Sequence, residues 1–354
     1  MNIRTLLIDS SFLLIRSFHC SNIYTIKFGK IAGLYYFFTT IRKLIKEHKI
    51  NKVVLVWDGE NGGVYRHEID LAYKANRKNK KWYKKIEMTD SEILREKEKE
   101  ESILKQKKRI QQYAEELFLR QIEVDDIEGD DIIASYCMQN SNKEDIYLFT
   151  NDRDFAQLLD LDITILFADK KNGDSFISIN RINYFYHFNH HYTNAIIMKI
   201  IGGDTSDNIP GVGGIKEDTL LKYFPDMKFR HMAVREICQM AKEINETRVA
   251  NNEKPLKVFE NLLNGIERLK TNYILINLKK PFLNEHAIEE LAQLEMPLLP
   301  DDRGSKNLYK MMLEDEFLTV YKSDFVSYVE PFYTVITNEK QLFTEYMKNK
   351  KSIL

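Results

Sequence analysis

The sequence predicts a mostly parallel α/β sheet flanked by helices, and three observations carry that expectation. Three short apolar, β-branched-rich runs, "RTLLID", "KVVLVWD" and "DIYLFTND", have the length of buried strands. Helical patterns such as "GLYYFFTTIRKLIKEH" and "DDIIASYCMQN" lie between them, and that alternation builds parallel sheets. From about residue 185 the pattern turns helical and stays so, apart from loops around Pro255, Pro281 and "MPLLPDDRGS". No internal repeat is visible.

The elements follow in order. The opening "MNIRTLLIDSS" reads as a strand rather than a signal peptide. The segment from Lys74 to about Gln121 interrupts the alternation. It begins with "KANRKNKKWYKK", seven basic residues in twelve and no acid. Thr89 and Glu92 in "TDSE" then form a capping-box pattern that starts a helix. Its middle, "REKEKEES", has no apolar face and is expected to stand in solvent. Apolar spacing returns at Ile103, Ile110, Leu117 and Phe118. An insertion basic at its base and solvated along its length is a candidate arm over a substrate, against the plainer reading of a solvated helical hairpin. Near residue 202, "GGDTSDNIPGVGGIKEDTLLKYF" sets Asp204 and Asp207 before a glycine-rich turn that opens another helix. Glycines at a helix start offer backbone N–H groups to phosphate, and carboxylates repel it. The combination makes sense with a cation between them.

Composition narrows the class. At 354 residues, 44% hydrophobic and 30% charged, the chain is ordinary for a globular protein of one large or two modest domains. A net charge of −1 says nothing about an anionic partner; local distribution must decide that. Cys20, Cys137 and Cys238 are far apart and in no CxxC arrangement. That argues against a disulfide scaffold or a thiolate zinc site and fits a reducing compartment. No apolar run reaches transmembrane length, so a cytoplasmic protein with no membrane partner is expected.

Each of the three strand runs ends in aspartate: Asp9, Asp58 and Asp152. In an open α/β sheet the carboxyl ends of the strands line the ligand crevice. A single aspartate after a strand is usually a turn residue or N-cap; three in three weakens that reading. Asp154 adds an acid two residues on, and "IEGDDIIASY" places Glu128, Asp130 and Asp131 at a helix start, where the dipole tolerates negative charge. With Asp204 and Asp207 the set reaches nine. Asp125 and Asp126 form a competing acidic pair, and Asp160 and Asp162 read as turn acids. So many carboxylates in one cleft cannot all stay ionised unaided. Oxygen-only ligation favours Mg2+ or Mn2+ over zinc, and two such ions about 4 Å apart form the usual clamp for phosphodiester hydrolysis.

"LLIDSSFLLIRSFHC", "VWDGENGGVYRHEIDLAYKANRK", "IEGDDIIASY", "FTNDRDFAQLL" and "GGDTSDNIPGVGGI" occur in the order and rough spacing of the 5′-nuclease family. The chain resembles that family over about residues 1 to 225, and with no polymerase segment it is most similar to the free-standing phage ribonuclease H-type enzymes. The resemblance implies a PIN-like catalytic core over residues 1–200 with a helical arch at 74–121. It further implies a helix–three-turn–helix DNA-binding element at 201–230 and leaves a helical C-terminal region at 231–354. By the same resemblance Asp9, Asp58, Glu128 and Asp130 lie near a first metal with Asp131 beside them. Asp152, Asp154 and Asp204 then form a second group, with Asp207 as ligand or close partner. Lys74 and Arg77 contact the scissile phosphate; Lys78, Lys80 and Lys81 bind backbone phosphates. Gly211, Gly213, Gly214, Ile215 and Lys216 grip duplex, with K+ as a frequent companion. Gly129 stands where alanine is commoner, and Asn151 where glycine is.

The implied function is removal of RNA primers and 5′ flaps during DNA replication. The implied partners are DNA and RNA–DNA hybrid with 5′ ends or flaps, and a monomer is expected. The C-terminal "TNEKQLFTEYMKNKKSIL" reads as a last packed helix or as a helix for a single-strand-binding protein. Two other readings stay open: a DNA-junction scaffold that has lost catalysis, and a PIN-type ribonuclease. His187, His190 and His191 read as ordinary surface or capping histidines. Trp82 and Tyr83 read as stacking or packing residues at the foot of the arm.

Overall fold

The protein is described from a computed structural model, in which residues 2–76, 88–169, 175–298, 303–322 and 324–353 are described. Six strands form the central sheet: β1 (Ile3–Asp9), β2 (Lys52–Asp58), β3 (Arg120–Val124), β4 (Glu144–Phe149), β5 (Thr164–Ala168) and β6 (Phe176–Ile179). Their spatial order is β3-β2-β1-β4-β5-β6. All neighbours run parallel except β5 and β6. The three strands named from sequence are the three central ones. The other three are shorter or carry charge, and "RQIEV" alternates too weakly to stand out.

Strand alternation divides the core in two. On β2, Val53, Leu55 and Trp57 face one layer, and Val54 and Val56 face the other. The first layer holds α1 (Ser10–Cys20), α2 (Ala32–His48) and the second half of a long helix, Asp90–Glu116. The second holds Gly129–Asn140 and the 3-10 segment Arg153–Leu161. A third, smaller core surrounds the glycine turn and runs from Ile197 to Leu269. Helices after residue 230 therefore do not share one core. Those up to Leu269 belong with the glycine turn, whereas Leu308, Met312, Phe317, Tyr328 and Val335 pack in the same core as β1 and β2. Among the described residues no helix is long and apolar enough to cross a membrane.

The helix Asp90–Glu116 has the expected capping box, with Thr89 and Glu92 bonding reciprocally. Its 27 residues extend about 40 Å. The charged first half is largely solvated, and Ile110, Tyr113 and Ala114 are buried. Buried Gln106 accepts the Leu34 amide at 3.0 Å and fixes the helix to the start of α2. Arg109 Nε and the Tyr113 hydroxyl both donate to Asp315 Oδ2, at 2.6 and 2.8 Å. The C-terminal helices thus brace the foot of the long helix.

A second brace holds the last helix, Tyr333–Ile353. Arg120 on the edge strand donates to both oxygens of Glu339, at 2.8 and 2.6 Å, and to the carbonyls of Leu294 and Met296. Both side chains are at most 2% exposed. Beyond this contact the helix is mostly solvated. Glu339→Ala is expected to leave a buried guanidinium without its carboxylate and cost about 3–5 kcal/mol. The shift in urea denaturation midpoint measures it.

Candidate active site

β1 is flanked by β2 on one side and β4 on the other, so the strand order reverses beside it. Crevices form at such points, outside the carboxyl ends of the strands. Asp9 ends β1 and caps α1, accepting the Phe12 amide at 3.0 Å and the Thr150 hydroxyl at 3.1 Å. Asp58 ends β2, and its Oδ1 accepts the Gly129 amide at 2.9 Å. A Cβ at Gly129 would lie 3.1 Å from that same oxygen. Glycine here relieves crowding beside a carboxylate. Asp152 follows β4 and caps the 3-10 segment by accepting the Asp154 amide at 2.8 Å.

Electrostatics show which acids face one another. Burial, opposed by the Phe12 amide and reinforced by Asp58 and Asp152, pushes the Asp9 carboxyl up to about 7. Burial and then Asp152, with smaller contributions from Asp9 and Glu128 and against the pull of Lys74, raise Asp130 well above the usual range. Burial and then Asp152 push Asp154 up to about 7, against the pull of Lys199. Burial would raise Glu128 too, but Lys74 and Arg66 outweigh it and hold this carboxylate low. Asp204 is likewise held low, since Lys199 and Ser206 overcome its burial. Asp207 acts on both Tyr73 and Lys74. Asp9, Asp58, Glu128, Asp130, Asp152, Asp154, Asp204 and Asp207 therefore share one electrostatic neighbourhood.

Asp131 does not join them. Its carboxylate receives both Arg66 Nη1 and Nη2, at 2.6 and 2.9 Å, and the Phe282 amide at 3.1 Å. It is 1% exposed. The residue expected beside a metal thus has both oxygens in a buried pair with Arg66, the guanidinium that also holds Glu128. Arg66 also donates to Glu128 Oε2 at 2.7 Å and to the Leu275 carbonyl at 2.9 Å.

Two cations in the cleft escaped the sequence reading. Arg66 gave no signal in "VYRHEID", because its partners come from distant segments. Lys199 did: it is the one charge in the apolar helix Ala195–Gly202. Its ammonium pairs with Asp154 and, at 2.7 Å, with Asp204. Lys74 pairs with Glu128, and Tyr73 donates to Glu128 Oε2 at 3.0 Å. Burial opposes the charge of both lysines, but the surrounding acids keep their ammonium groups protonated. Among the described residues no three acids converge on one point as a ready ion cage; the acids are spread around these ammonium groups. The donor set itself, oxygens alone from rigid strand ends and helix starts, suits hard divalent ions. Arg77, Lys78, Lys80, Lys81, Trp82 and Tyr83 lie outside the described residues.

The glycine turn stands next to this cleft. Gly203, at φ +77°, and Gly211 pass so closely that a Cβ on either would fall 2.2 Å from the other strand's backbone. Asp204 pairs with Ile209 in the short ladder between them. Gly213, Gly214 and Lys216 are exposed, whereas Ile215 is 3% exposed in the small core. Ile215 can therefore offer a ligand only its backbone, the group through which this turn is expected to act. His190 is buried, its Nδ1 3.0 Å from the His191 carbonyl, in keeping with a packed histidine.

An open parallel sheet with this acidic crevice and an adjoining glycine turn is the architecture of a nuclease. A family model described as "5'-3' exonuclease, N-terminal resolvase-like domain" matches residues 4–185, just over half of the 354 residues. The chain belongs to the 5′-3′ exonuclease family and is a hydrolase of phosphodiester bonds. It is 25% identical over 303 residues to the 5′-3′ exonuclease of Mycoplasmopsis pulmonis, covering 78% of this chain and 93% of that protein. Among solved structures, zinc-bound 5′-exonuclease of phage T5 superposes with a TM-score of 0.59 at 20% identity, over 90% of this chain and 99% of that one. The phage T5 flap endonuclease in complex with DNA and metal ions gives 0.59 at 19% identity, over 88% and 99%. These two share the fold.

Two outcomes are expected. A raised carboxyl adds stability below its unfolded value of 3.8 and loses it as the pH climbs through about 7. A divalent ion must displace those protons, so the rise in melting temperature caused by Mg2+ should be larger at pH 8 than at pH 6. Equal rises, in melts run with Mg2+ and with EDTA, contradict this. Arg66→Lys, which cannot grip Glu128 and Asp131 together, should weaken Mn2+ binding about 10- to 100-fold by calorimetry.

Proposed function

We propose that this nuclease is a divalent-metal-dependent, structure-specific enzyme that trims RNA primers and displaced 5′ flaps from DNA during replication. The observation that carries the reading is the gathering of carboxylates beside the glycine turn: Glu128, Asp130 and Asp207 about Lys74, Asp152, Asp154 and Asp204 about Lys199, and Asp9 with Asp58 next to them. Asp9, Asp58, Glu128 and Asp130 would hold one ion, and Asp152, Asp154, Asp204 and Asp207 the other. Two Mg2+ or Mn2+ ions there supply an ionised water and offset charge on the leaving oxygen. The phage T5 structures, with zinc in one and with DNA and metal ions in the other, support that cofactor class.

The chain's own groups divide the remaining work. Lys74 holds a protonated ammonium at the mouth of the acid cluster, where it meets a scissile phosphate and stabilises its developing charge. Arg77 adds a second cation to that contact. Lys78, Lys80 and Lys81 bind phosphates without reading sequence, so affinity should fall steeply with salt. Gly211, Gly213, Gly214 and Lys216 present backbone to the duplex at the turn, with K+ as a companion ion. The products are a 5′-phosphate and a 3′-hydroxyl. The helix Asp90–Glu116, rooted on α2 and Asp315 and solvated toward its start, serves as one side of the arch over the departing strand.

Asp152→Asn tests the reading on a 5′-labelled flap substrate. Cutting should drop about 100- to 1,000-fold, with binding within a few-fold of the parent, and EDTA should stop the parent enzyme. Full activity in the variant refutes the centre. Tight binding without cleavage under any divalent ion would favour a junction scaffold, and equal cutting of single-stranded RNA a PIN-type ribonuclease.

A further inference from the structure

The segment that carries Lys74 is stitched to the loop before the glycine turn by three hydrogen bonds. The Lys74 amide donates to the Asp207 carbonyl at 2.7 Å. The Asn208 side-chain amide donates to the Ala72 carbonyl at 2.7 Å, and that of Asn76 to the Thr205 carbonyl at 2.9 Å. Beneath them Tyr73 and Ile209, 3% and 4% exposed, share a small apolar cluster with Leu275 and Ile276.

Two of these residues hold unusual backbone. Lys74 has φ +52° and Asn208 φ +58°, in the left-handed region that non-glycine residues rarely enter. Asparagine tolerates it best among them, so Asn208 supplies both the conformation and the donor. Lysine enters it less readily, although Lys49 and Lys322 also do so here. A strained residue persists where its surroundings over-determine it, and here the surroundings are the Asp207 carbonyl and the neighbouring contacts at Ala72 and Asn76. Asn208 runs straight into Ile209–Pro210, the strand that pairs with Gly203–Asp204 and leads to Gly211. Any displacement of the turn is therefore passed to the backbone of Lys74 through this latch.

We propose that Asn208 is a specificity-determining positioning residue, whose latch makes the placement of Lys74 depend on the glycine turn and so ties cleavage to duplex docking. The inference rests on the nuclease reading above and deepens it. Coupling of this kind is reciprocal: a duplex that favours the latched turn favours the placed lysine by the same factor.

Asn208→Gly keeps the positive φ and deletes the donor. On a flap substrate its single-turnover rate should fall about 5- to 150-fold, the span of such couplings. The slow rate on single strands should stay within about three-fold, while flap affinity falls by no more than that same coupling factor. The flap-to-single-strand ratio therefore collapses, which general loss of stability would not produce. Hydrogen exchange supplies a second reading, taken in EDTA so that no cleavage is needed. Duplex DNA should protect the amides of residues 72–76 in the parent and leave them unprotected in the variant. Should Asn208→Gly fail to fold, Asn76→Ala removes another strand of the latch from the opposite side and should move both readings the same way. A folded variant with parental ratio and parental protection overturns the inference, as does a parent whose residues 72–76 ignore duplex. A parent that binds and protects but never cuts sinks the nuclease reading and leaves the latch standing.

Discussion

Like charge concentrated at one end of a sheet is the constraint around which this molecule is arranged. Eight carboxylates reach the crevice beside β1, and burial makes those of Asp9, Asp130 and Asp154 costly in the ionised state. The fold answers with internal cations placed between them. Lys74 lies against Glu128, and Lys199 bridges Asp154 and Asp204. Burial and neighbouring acids make the carboxyls of Asp9, Asp130 and Asp154 hold their protons more tightly, even with Lys74 acting on Asp130 and Lys199 on Asp154. A site of this kind is poised to exchange protons and ammonium contacts for hard cations, and it keeps its geometry through backbone amides at Phe12, Gly129 and Asp154 rather than through the acids themselves.

Behind the crevice the fold relies on buried ion pairs as anchors. Arg66 with Asp131 fixes Glu128 from the rear, and its Nε on the Leu275 carbonyl ties the cluster to the helix Ile266–Ile276. Arg120 with Glu339 fastens the last helix to the sheet edge. Lys52 with Glu144, joined by Thr5 and Tyr136, closes the opposite end of the central strands. Such pairs add little net stability over apolar packing, but breaking one is costly. They are suited to fixing position, and here they fix what surrounds the acids.

The glycine turn meets the same demand differently. Its glycines let two backbone segments cross at a distance that no Cβ permits, which places Asp204 and Asp207 at the crevice and the exposed Gly213–Gly214–Lys216 beside it. Asn272 holds the crossing from below, donating to the carbonyls of Ile200 and Pro210 at 2.9 Å. One short loop thus carries both acids of the crevice and the exposed glycine turn.

The sequence by itself determined the sheet's three central strands, their aspartate ends, the capped helix with its solvated first half, and the glycine turn. Each is a local signal: a run of apolar residues, a cap, a change of period, a cluster of glycines. The shorter outer strands, the pairing of Asp131 with Arg66, the burial of the Ile215 side chain, and the partners of Lys199 and Asn208 were decided by tertiary structure. A carboxylate's direction and a cation's partner are set by residues far away in the chain, and sequence order carries no distance between Arg66 and Asp131 or between Asn208 and Ala72.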